Sequence, residues 1–389
     1  MWEGSEVRVD FTKQICINAL QSQVSCDHCL TICPSGAIQR GDNGELFLQQ
    51  EACTGCGACL CHCPTECFKS QHWQEKKLIE RVTKSEYDVI ELFCGGHDKP
   101  YGKADKENPR DFVRVNVCFA ALSKAAWFEM AQSKKLIIHR EACDACEIQS
   151  CEHLWIDLVE QTREYLTACQ LTPRMEICSV KQNGSILRRR WADTSGEKAT
   201  SRREFLLKAG NIGVEAVLPS FLKGAKPPSN QQNTENATLW PVWSQRFGVA
   251  YSKAEIEYGK GDPAMWPYIQ VKDSCISCGV CSYFCPTGAL QKIEKDGMCQ
   301  TIFNAGRCAD CRLCEELCCQ KAIVRSRRGI HQPFRPRIVQ EIKLMQCKKC
   351  GSYCSETATG FCHWCQSEKR LRPMLDRVKL AMKKSEKKV

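Results

Sequence analysis

Residues 275–286 read Cys275-Ile-Ser-Cys278-Gly-Val-Cys281-Ser-Tyr-Phe-Cys285-Pro286, and residues 308–318 repeat the pattern as Cys308-Ala-Asp-Cys311-Arg-Leu-Cys314-Glu-Glu-Leu-Cys318. Each run has the spacing C-x2-C-x2-C-x3-C. In such runs three closely spaced thiolates wrap one 4Fe–4S cluster, and the fourth ligates the neighbouring cluster. We therefore expect two clusters with crossed ligands. One would take Cys275, Cys278, Cys281 and Cys318, and the other would take Cys308, Cys311, Cys314 and Cys285.

This region, residues 268–330, resembles the bacterial two-cluster ferredoxin, and Pro286-Thr-Gly-Ala-Leu is the follow-on typical of that family. One residue departs from the family pattern, because Cys319 stands where the second run normally has proline. Scattered structural cysteines or zinc ligands are the alternative, but they do not explain why one spacing occurs twice.

The same pattern recurs in residues 1–72. One run, residues 53–63, is complete, whereas its partner has its leading cysteine displaced to Cys16, so an extra loop lies over that cluster. The crossed rule predicts one cluster on Cys16, Cys26, Cys29 and Cys63, and another on Cys53, Cys56, Cys59 and Cys33. Cys61 and Cys67 are left over as buried thiols, although Cys61 would replace Cys63 in a shifted register. Residues 37–48 read as strand, turn and strand.

In residues 75–180 the spacing of hydrophobic residues differs from that of the cysteine-rich regions. Strands are predicted at 87–93, 112–117, 136–139 and 175–177, and helices at 120–133 and 152–170. Strands that alternate with helices predict a small parallel α/β sheet.

Cysteines follow these strands, and the carboxyl ends of parallel strands share one edge of a sheet. The pattern resembles the small iron–sulfur subunit associated with methyl-viologen-reducing hydrogenase and heterodisulfide reductase. That resemblance implies one further iron–sulfur cluster, of the 2Fe–2S type, on Cys94, Cys118, Cys143 and Cys146, with Cys151 in reserve. The alternatives are a sheet domain with small buried cysteines and a catalytic thiol, for which His97 and His139 are nearby in sequence.

Residues 181–267 form a connector without cysteine. Residues 201–208 resemble a twin-arginine export signal, but they lie inside the chain and the apolar run after them is interrupted. We interpret them as the remnant of a fusion, with active export through this motif and an amphipathic helix that contacts a partner or a membrane surface as the alternatives. Residues 224–239 are a polar linker, after which Trp240, Trp243 and Trp266 are expected to pack in apolar surroundings.

Residues 342–389 contain two C-x2-C pairs and a basic tail. The pairs resemble a zinc ribbon, which implies one zinc ion on Cys347, Cys350, Cys362 and Cys365. Cys354 offers an alternative, because with Cys347 and Cys350 it gives a series typical of a fifth 4Fe–4S cluster. We expect the tail to be solvated or to dock on an acidic partner subunit, with a helix over residues 372–384.

Length and composition limit which of these interpretations are possible. A chain of 389 residues predicts two to four domains, and most of its 32 cysteines fall in groups with metal-ligand spacing. Acidic and basic residues precede any apolar run at the N-terminus, so we expect no secretory signal, and a reducing cytoplasm in place of a disulfide scaffold. No apolar run approaches the ~20 residues of a membrane span. Bound clusters would offset much of the formal charge of +10.

We therefore predict an α+β chain in which two ferredoxin-like dicluster domains flank a small parallel α/β domain, with a zinc-ribbon-like knuckle at the C-terminus. The predicted function is non-catalytic: a subunit of anaerobic metabolism that relays single electrons through at least four 4Fe–4S clusters. Its partner would be a hydrogenase, a heterodisulfide reductase-like unit or a molybdenum or tungsten oxidoreductase, with a soluble carrier as a further partner. The alternative is an oxidoreductase whose own centre is the cysteine site of the middle domain. Nucleic-acid binding is not expected, because no aromatic residues interleave with the basic run.

Overall fold

The structure is a computed structural model. It describes residues 7–20, 26–42, 44–97, 109–168, 170–172, 174–179, 239–253, 265–326, 328–330, 332–357 and 359–366. The twin-arginine-like segment 201–208, the linker up to residue 238 and the predicted helix 372–384 lie outside these residues.

The N-terminal unit contains two small antiparallel sheets. Strand β1 (Asp10–Phe11) pairs with β4 (Phe68–Lys69), and β2 (Ile38–Arg40) pairs with β3 (Leu46–Leu48). The strands surround three short helices, which are α1 (Ile17–Leu20), α2 (His28–Ile32) and α3 (Ala58–His62). The predicted hairpin at 37–48 is present as β2 and β3. Its core buries Val9, Ile38, Leu46 and Phe68 around four cysteines.

A second unit repeats this pairing later in the chain. Strand β9 (Tyr268–Val271) pairs with β12 (Ile323–Ser326), and β10 (Leu290–Lys295) forms a hairpin with β11 (Met298–Phe303). Helices α8 (Val280–Tyr283) and α9 (Leu313–Glu316) follow the second cysteine of their runs. In each unit the first strand pairs with the last, and the two inner strands pair with each other. This pairing places both cysteine runs of a unit around one common interior.

Between these units lies a four-stranded sheet in which every pair is parallel. Its order is β6 (Arg110–Val115), β5 (Val89–Cys94), β7 (Lys135–His139) and β8 (Met175–Cys178). Helices α4 (Glu75–Thr83), α5 (Lys124–Ser133) and α6 (Glu152–Ala168) accompany it.

The predicted helix at 120–133 is split. A 3-10 turn covers Phe119–Ala121, and α5 begins after Ser123, whose side chain accepts a hydrogen bond from the amide of Ala126. A serine oxygen at this position satisfies an amide that the first turn leaves unpaired.

Part of the predicted connector is folded. Residues Val242–Lys253 form helix α7, which packs on α5. Phe247 lies at the centre of this contact, with its ring 4.7 Å from Phe128 and 5.2 Å from Trp266. The aromatic residues near the end of the connector therefore pack the middle domain against the second unit, as the sequence led us to expect for Trp266.

The C-terminal segment continues the sheet of the second unit. Strand β13 (Arg337–Gln346) pairs with β11 and also with β14 (Tyr353–Ser355), and helix α10 covers His363–Gln366. The resulting order is β10-β11-β13-β14. Strand β13 runs across residue 342, at which the sequence predicts the start of a separate domain.

Among the helices that the structure describes, α6 is the longest at 17 residues. None of them combines the length and the apolar character that crossing a membrane requires.

Candidate metal centres

The four cysteines of one predicted quartet in the first unit line one small cavity. They are Cys16, Cys26, Cys29 and Cys63, which we call site 1. Asn18 draws the displaced Cys16 segment back to the rest of its own run, because its side chain donates to the carbonyl of Cys26 (2.7 Å) and accepts from the Cys26 amide (2.9 Å). The loop inserted after Cys16 is thus closed by a pair of hydrogen bonds, and the predicted quartet meets at one point.

Site 1 suits a centre that stabilises thiolates. Burial, together with the charges of Cys63 and Cys16, raises the pKa of Cys26 to about 11 and that of Cys29 to about 12. Several buried thiols side by side cannot all ionise without a cation among them. Because metal ligation requires deprotonated sulfur, such a set fits an iron–sulfur core.

The two spare cysteines of this unit have different positions. Cys67 lines the site 1 cavity, and its sulfur lies 3.1 Å from that of Cys63. Cys61 points out of the unit and donates to the carbonyl of Ala120 at 3.1 Å. Cys61 does not line the cavity, so its use in place of Cys63 has no support in this geometry. The lining position of Cys67 was not expected from the sequence.

The other quartet of the first unit, site 2, consists of Cys33, Cys53, Cys56 and Cys59. Burial raises the pKa of Cys59, and the charges of Cys56, Cys53 and Cys33 raise it further. The four sulfurs of site 2 therefore lie within electrostatic reach of one another.

The second unit contains the corresponding cavity. It is lined by Cys285, Cys308, Cys311 and Cys314, which we call site 3. Apolar side chains such as Ile269, Leu290 and Phe303 complete the wall. Burial and the charge of Cys285 raise the pKa of Cys308 to about 12. Cys285 thus lies with the thiols of the later run and not with those nearest to it in sequence.

The remaining quartet, site 4, consists of Cys275, Cys278, Cys281 and Cys318. Burial raises the pKa of Cys281 to about 11, the hydroxyl of Ser282 lowers it, and the charges of Cys275, Cys278 and Cys318 raise it. The amide of Ala322 donates to the sulfur of Cys318 at 3.2 Å, a contact of the kind that tunes a cluster. Site 4 reaches the surface, because Cys278 and the neighbouring Cys319 are exposed.

Four thiols of the C-terminal segment form a tighter group. The sulfurs of Cys347, Cys350, Cys362 and Cys365 all lie within 4.8 Å of one another, and those of Cys350 and Cys362 are 3.8 Å apart. A zinc ion with four sulfurs at about 2.3 Å in a tetrahedron places those sulfurs about 3.8 Å apart. A single ion therefore fits this group better than an iron–sulfur cube, which holds its thiolates farther apart.

Backbone amides donate hydrogen bonds to a sulfur of this group and favour its deprotonated form. The amide of Cys362 donates to the sulfur of Cys347 at 3.2 Å. This bond, with one from the amide of Cys350, lowers the pKa of Cys347 to about 6. Cys354 lies nearby, since the charges of Cys362, Cys347 and Cys350 raise its pKa in addition to burial, but it is outside the group of four.

The middle domain gathers four of its five predicted cysteines. These four, which we call site 5, lie at or after the carboxyl ends of strands β5, β6 and β7: Cys94, Cys118, Cys143 and Cys146. Burial raises the pKa of Cys143 to about 12, with further contributions from the charges of Cys94 and Cys146. Cys151 has a different neighbour: it hydrogen-bonds to Cys56, and this bond lowers the pKa of Cys56 to about 6. It therefore lies at the boundary with site 2.

A buried network of charged side chains borders site 5. Nε2 of His139 lies 2.8 Å from Glu91, and Nδ1 lies 3.1 Å from Glu141. Arg110 donates to Glu91 at 2.9 Å, and Nδ1 of His97 lies 3.4 Å from the sulfur of Cys94. The role of Glu91 was not predicted from the sequence, because its partners His139 and Arg110 come from other strands, although a glutamate inside an otherwise apolar strand was a signal.

Comparisons with known proteins agree with the cysteine spacing. The family model described as a 4Fe-4S binding domain matches residues 268–291, which include the first run of the second unit. A ferredoxin-like protein in nif region from Nostoc sp. is 32% identical over 79 residues, which are 16% of this chain and 68% of that protein. The chain belongs to the ferredoxin-like family of 4Fe–4S proteins. The prediction of a 4Fe–4S ferredoxin-type chain is thereby confirmed.

Two other relatives of this ferredoxin-like chain are subunits of larger enzymes. Pyruvate synthase subunit PorD of Methanocaldococcus jannaschii is 42% identical over 41 residues, 10% of this chain and 48% of that protein. Thiosulfate reductase electron transfer subunit PhsB of Salmonella typhi is 38% identical over 47 residues, 11% of this chain and 24% of that protein. The chain thus spans about half of the first relative and about a quarter of the second. The number of clusters, the zinc ion and the hydrogenase-subunit resemblance stay predictions.

Proposed function

We propose that this ferredoxin-like chain is an electron-transfer subunit that holds one 4Fe–4S cluster at each of sites 1 to 4. The observation that carries the proposal is the crossed arrangement of the thiols. Cys285 ends the first run of the second unit but lines site 3 with the second run, and Cys63 joins site 1 in the same way. Crossed ligation of this kind is the mark of a two-cluster ferredoxin unit.

The catalytic step belongs to a partner. Each of the four sites supplies four thiols to one cluster, so no iron is left open for a substrate. Relatives carry the names of a pyruvate synthase subunit and a thiosulfate reductase electron transfer subunit. We infer a partner of the same general kind, namely the catalytic subunit of a hydrogenase, a heterodisulfide reductase-like unit or a molybdenum or tungsten oxidoreductase, with a soluble one-electron carrier on the other side and a cytoplasmic location.

Two further metals complete the proposal. Zinc on the four C-terminal cysteines is redox-silent, so it would stabilise the end of the long sheet and carry no electrons. Site 5 would hold an additional iron–sulfur cluster, since four thiols meet there at the carboxyl ends of parallel strands.

The test is metal analysis of the full chain purified without oxygen. Four cubanes require about 16 iron per chain, and a 2Fe–2S cluster at site 5 raises this to about 18. Zinc in place of iron at sites 1 to 4, or no iron, contradicts the proposal.

A substitution tests the crossed ligation. We expect Cys285→Ala to remove the cluster of site 3 and to leave that of site 4 in place, as resolved by electron paramagnetic resonance. Cys299→Ala is the matched control, because Cys299 is buried in the same unit but belongs to neither quartet. Loss of the site 4 cluster first would show that the crossed assignment is wrong.

One observation favours a second candidate function, catalysis at site 5. His97 lies 3.4 Å from the sulfur of Cys94 and is followed by Glu141 at 3.7 Å, an order of thiol, imidazole and carboxylate that occurs in nucleophilic centres. Burial, however, raises the pKa of Cys94 to about 11, which disfavours a reactive thiolate. Turnover of a disulfide substrate by the isolated chain, abolished by His97→Gln with iron content unchanged, would establish this alternative.

A further inference from the structure

The two ferredoxin-like units touch each other through their metal sites. Ile17 and Leu313, each only 2% exposed, form a small apolar contact of their own. Ile17 follows Cys16 of site 1, and Leu313 precedes Cys314 of site 3. Cys26 of site 1 and Cys311 of site 3 pack against this pair. The contact therefore joins the two cysteine-lined cavities directly.

Electrostatic neighbours support this arrangement. The negative charge of Cys26 contributes to the raised pKa of Cys311, behind burial and the charges of the other site 3 thiols. His28, beside site 1, lies within reach of Arg312, Arg325 and Glu316 of the second unit. The cysteine-containing segment of site 1 therefore faces the cysteine-containing segment of site 3.

Site 2 of the first unit lies against the middle domain. The amide of Cys118 donates to the carbonyl of Cys56 at 3.1 Å, which links a site 5 residue to a site 2 residue through one hydrogen bond. Cys61 adds a bond to Ala120, and Cys151 contacts Cys56. At the other end of the chain of sites, Cys278 of site 4 is exposed.

We propose that the Ile17–Leu313 contact is the crossing point between the two units and that it sets a linear order of sites: 4, 3, 1, 2 and then 5. This inference rests on the proposed function. Each step moves one electron, so the donor site is oxidised by one and the acceptor site is reduced by one, with no bond made and no proton moved. A soluble one-electron carrier exchanges electrons at the exposed site 4, and a one-electron redox centre of the catalytic partner exchanges them near site 5.

The order can be tested with two matched variants of the full chain, each keeping two cubane sites. Both variants also carry Cys94→Ala and Cys143→Ala, which empty site 5 so that it cannot couple to site 2. The first keeps sites 1 and 3 and carries Cys53→Ala, Cys59→Ala, Cys275→Ala and Cys281→Ala. The second keeps sites 2 and 4 and carries Cys16→Ala, Cys29→Ala, Cys308→Ala and Cys314→Ala. In the reduced state, electron paramagnetic resonance of the first variant should show spin–spin splitting. The second should show two independent signals.

The outcomes separate the inference from the proposed function. Splitting in the first variant and none in the second supports the order. Splitting in the second variant, or two independent signals in the first, overturns it while the bound iron still upholds electron transfer. Absence of iron from the unsubstituted chain refutes the proposed function itself.

A second measurement covers the case in which these variants do not fold. Leu313→Glu places a charge in the apolar contact without removing a ligand. We expect it to reduce the coupled part of the spectrum of the complete chain at unchanged iron content. Ile338→Glu, at a residue that is 54% exposed on β13, is the control and should leave the spectrum as it was. An unchanged spectrum for Leu313→Glu at full iron content overturns the crossing point.

Discussion

Gly57 shows how one residue controls the approach of the first unit to the middle domain. It precedes helix α3 with φ +80°, and a Cβ atom placed on it would lie 2.8 Å from the Cβ of Ala121. Gly44 has the same φ of +80° in the β2–β3 turn, but a Cβ there would meet nothing within 4 Å. The two glycines share a backbone conformation and differ in what surrounds them.

Alanine at these two positions should therefore have unequal effects. We expect Gly44→Ala to cost about 1 kcal/mol, the strain of a side chain in the left-handed region. Gly57→Ala should cost about 1–3 kcal/mol more because it also overpacks the contact beside Cys56. Thermal unfolding of the reconstituted protein measures both, and equal losses would contradict the close approach.

His139 is a residue whose contribution to stability should depend on pH. Burial lowers its pKa, but hydrogen bonds to Glu141 and Glu91 outweigh burial and hold the pKa above its ordinary value. A raised folded-state pKa stabilises the fold fully below the unfolded-state value of about 6.5, and this contribution is lost as pH rises through the folded-state value.

The difference in unfolding free energy between the unsubstituted chain and His139→Gln should accordingly shrink as pH rises above about 6.5. Denaturant titrations at several pH values give this difference. His72→Gln, at an exposed histidine, is the control and should show little difference at any pH. A pH-independent difference for His139→Gln would argue against the two glutamate contacts.

At the scale of elements, one arginine adds ion pairs to the apolar contact between helix α7 and the middle domain. Arg246 forms ion pairs with Glu75 of α4 and with Glu129 of α5, the latter at 2.5 Å. Its side chain is 21% exposed, and both glutamates are less exposed still. A single guanidinium between two carboxylates thus fastens a segment that the sequence suggested was part of a connector.

Replacing this arginine should separate α7 from its neighbours. We expect Arg246→Met to cost about 3 kcal/mol, because it leaves two partly buried carboxylates without their cation. Lys76→Met removes an exposed pair with Glu80 on α4 itself and should cost at most about 0.5 kcal/mol. Unfolding midpoints of the two variants measure these two losses of stability. Similar midpoints would mean that the ion pairs of Arg246 contribute little to holding the helix.

At the scale of the whole molecule, the C-terminal metal group ends a continuous sheet. Strand β14 pairs with β13, which pairs with β11 of the second unit. Loss of metal from the group should therefore loosen β14 and β13 as well as the knuckle itself, while the cluster sites stay intact.

The test uses two cysteines that are close in sequence. If the proposed zinc is bound there, Cys350→Ser should abolish it, leave iron unchanged and increase amide hydrogen exchange along residues 337–355. Cys354→Ser should keep the zinc, because Cys354 lies outside the group of four. If Cys354→Ser instead removed iron, the fifth-cluster alternative would replace the zinc proposal.

Local spacing was sufficient to predict the 4Fe–4S ferredoxin-type character of this chain. A C-x2-C-x2-C-x3-C run places three thiols on successive turns wherever it occurs, so the ferredoxin-type character follows from the residues alone. The strands of the middle domain were predictable for the same reason: apolar runs end in cysteines within a few positions of the observed strand ends.

Contacts between distant residues were decided by tertiary packing. The position of Cys151 beside Cys56, the Arg246 bridge and the Ile17–Leu313 contact each join residues that carry no mark of one another in sequence. Burial and hydrogen bonding select such partners only after the elements pack, since their energy depends on desolvation and not on spacing. The sequence alone therefore predicts the candidate cysteine quartets, whereas the proposed order of these sites depends on tertiary packing.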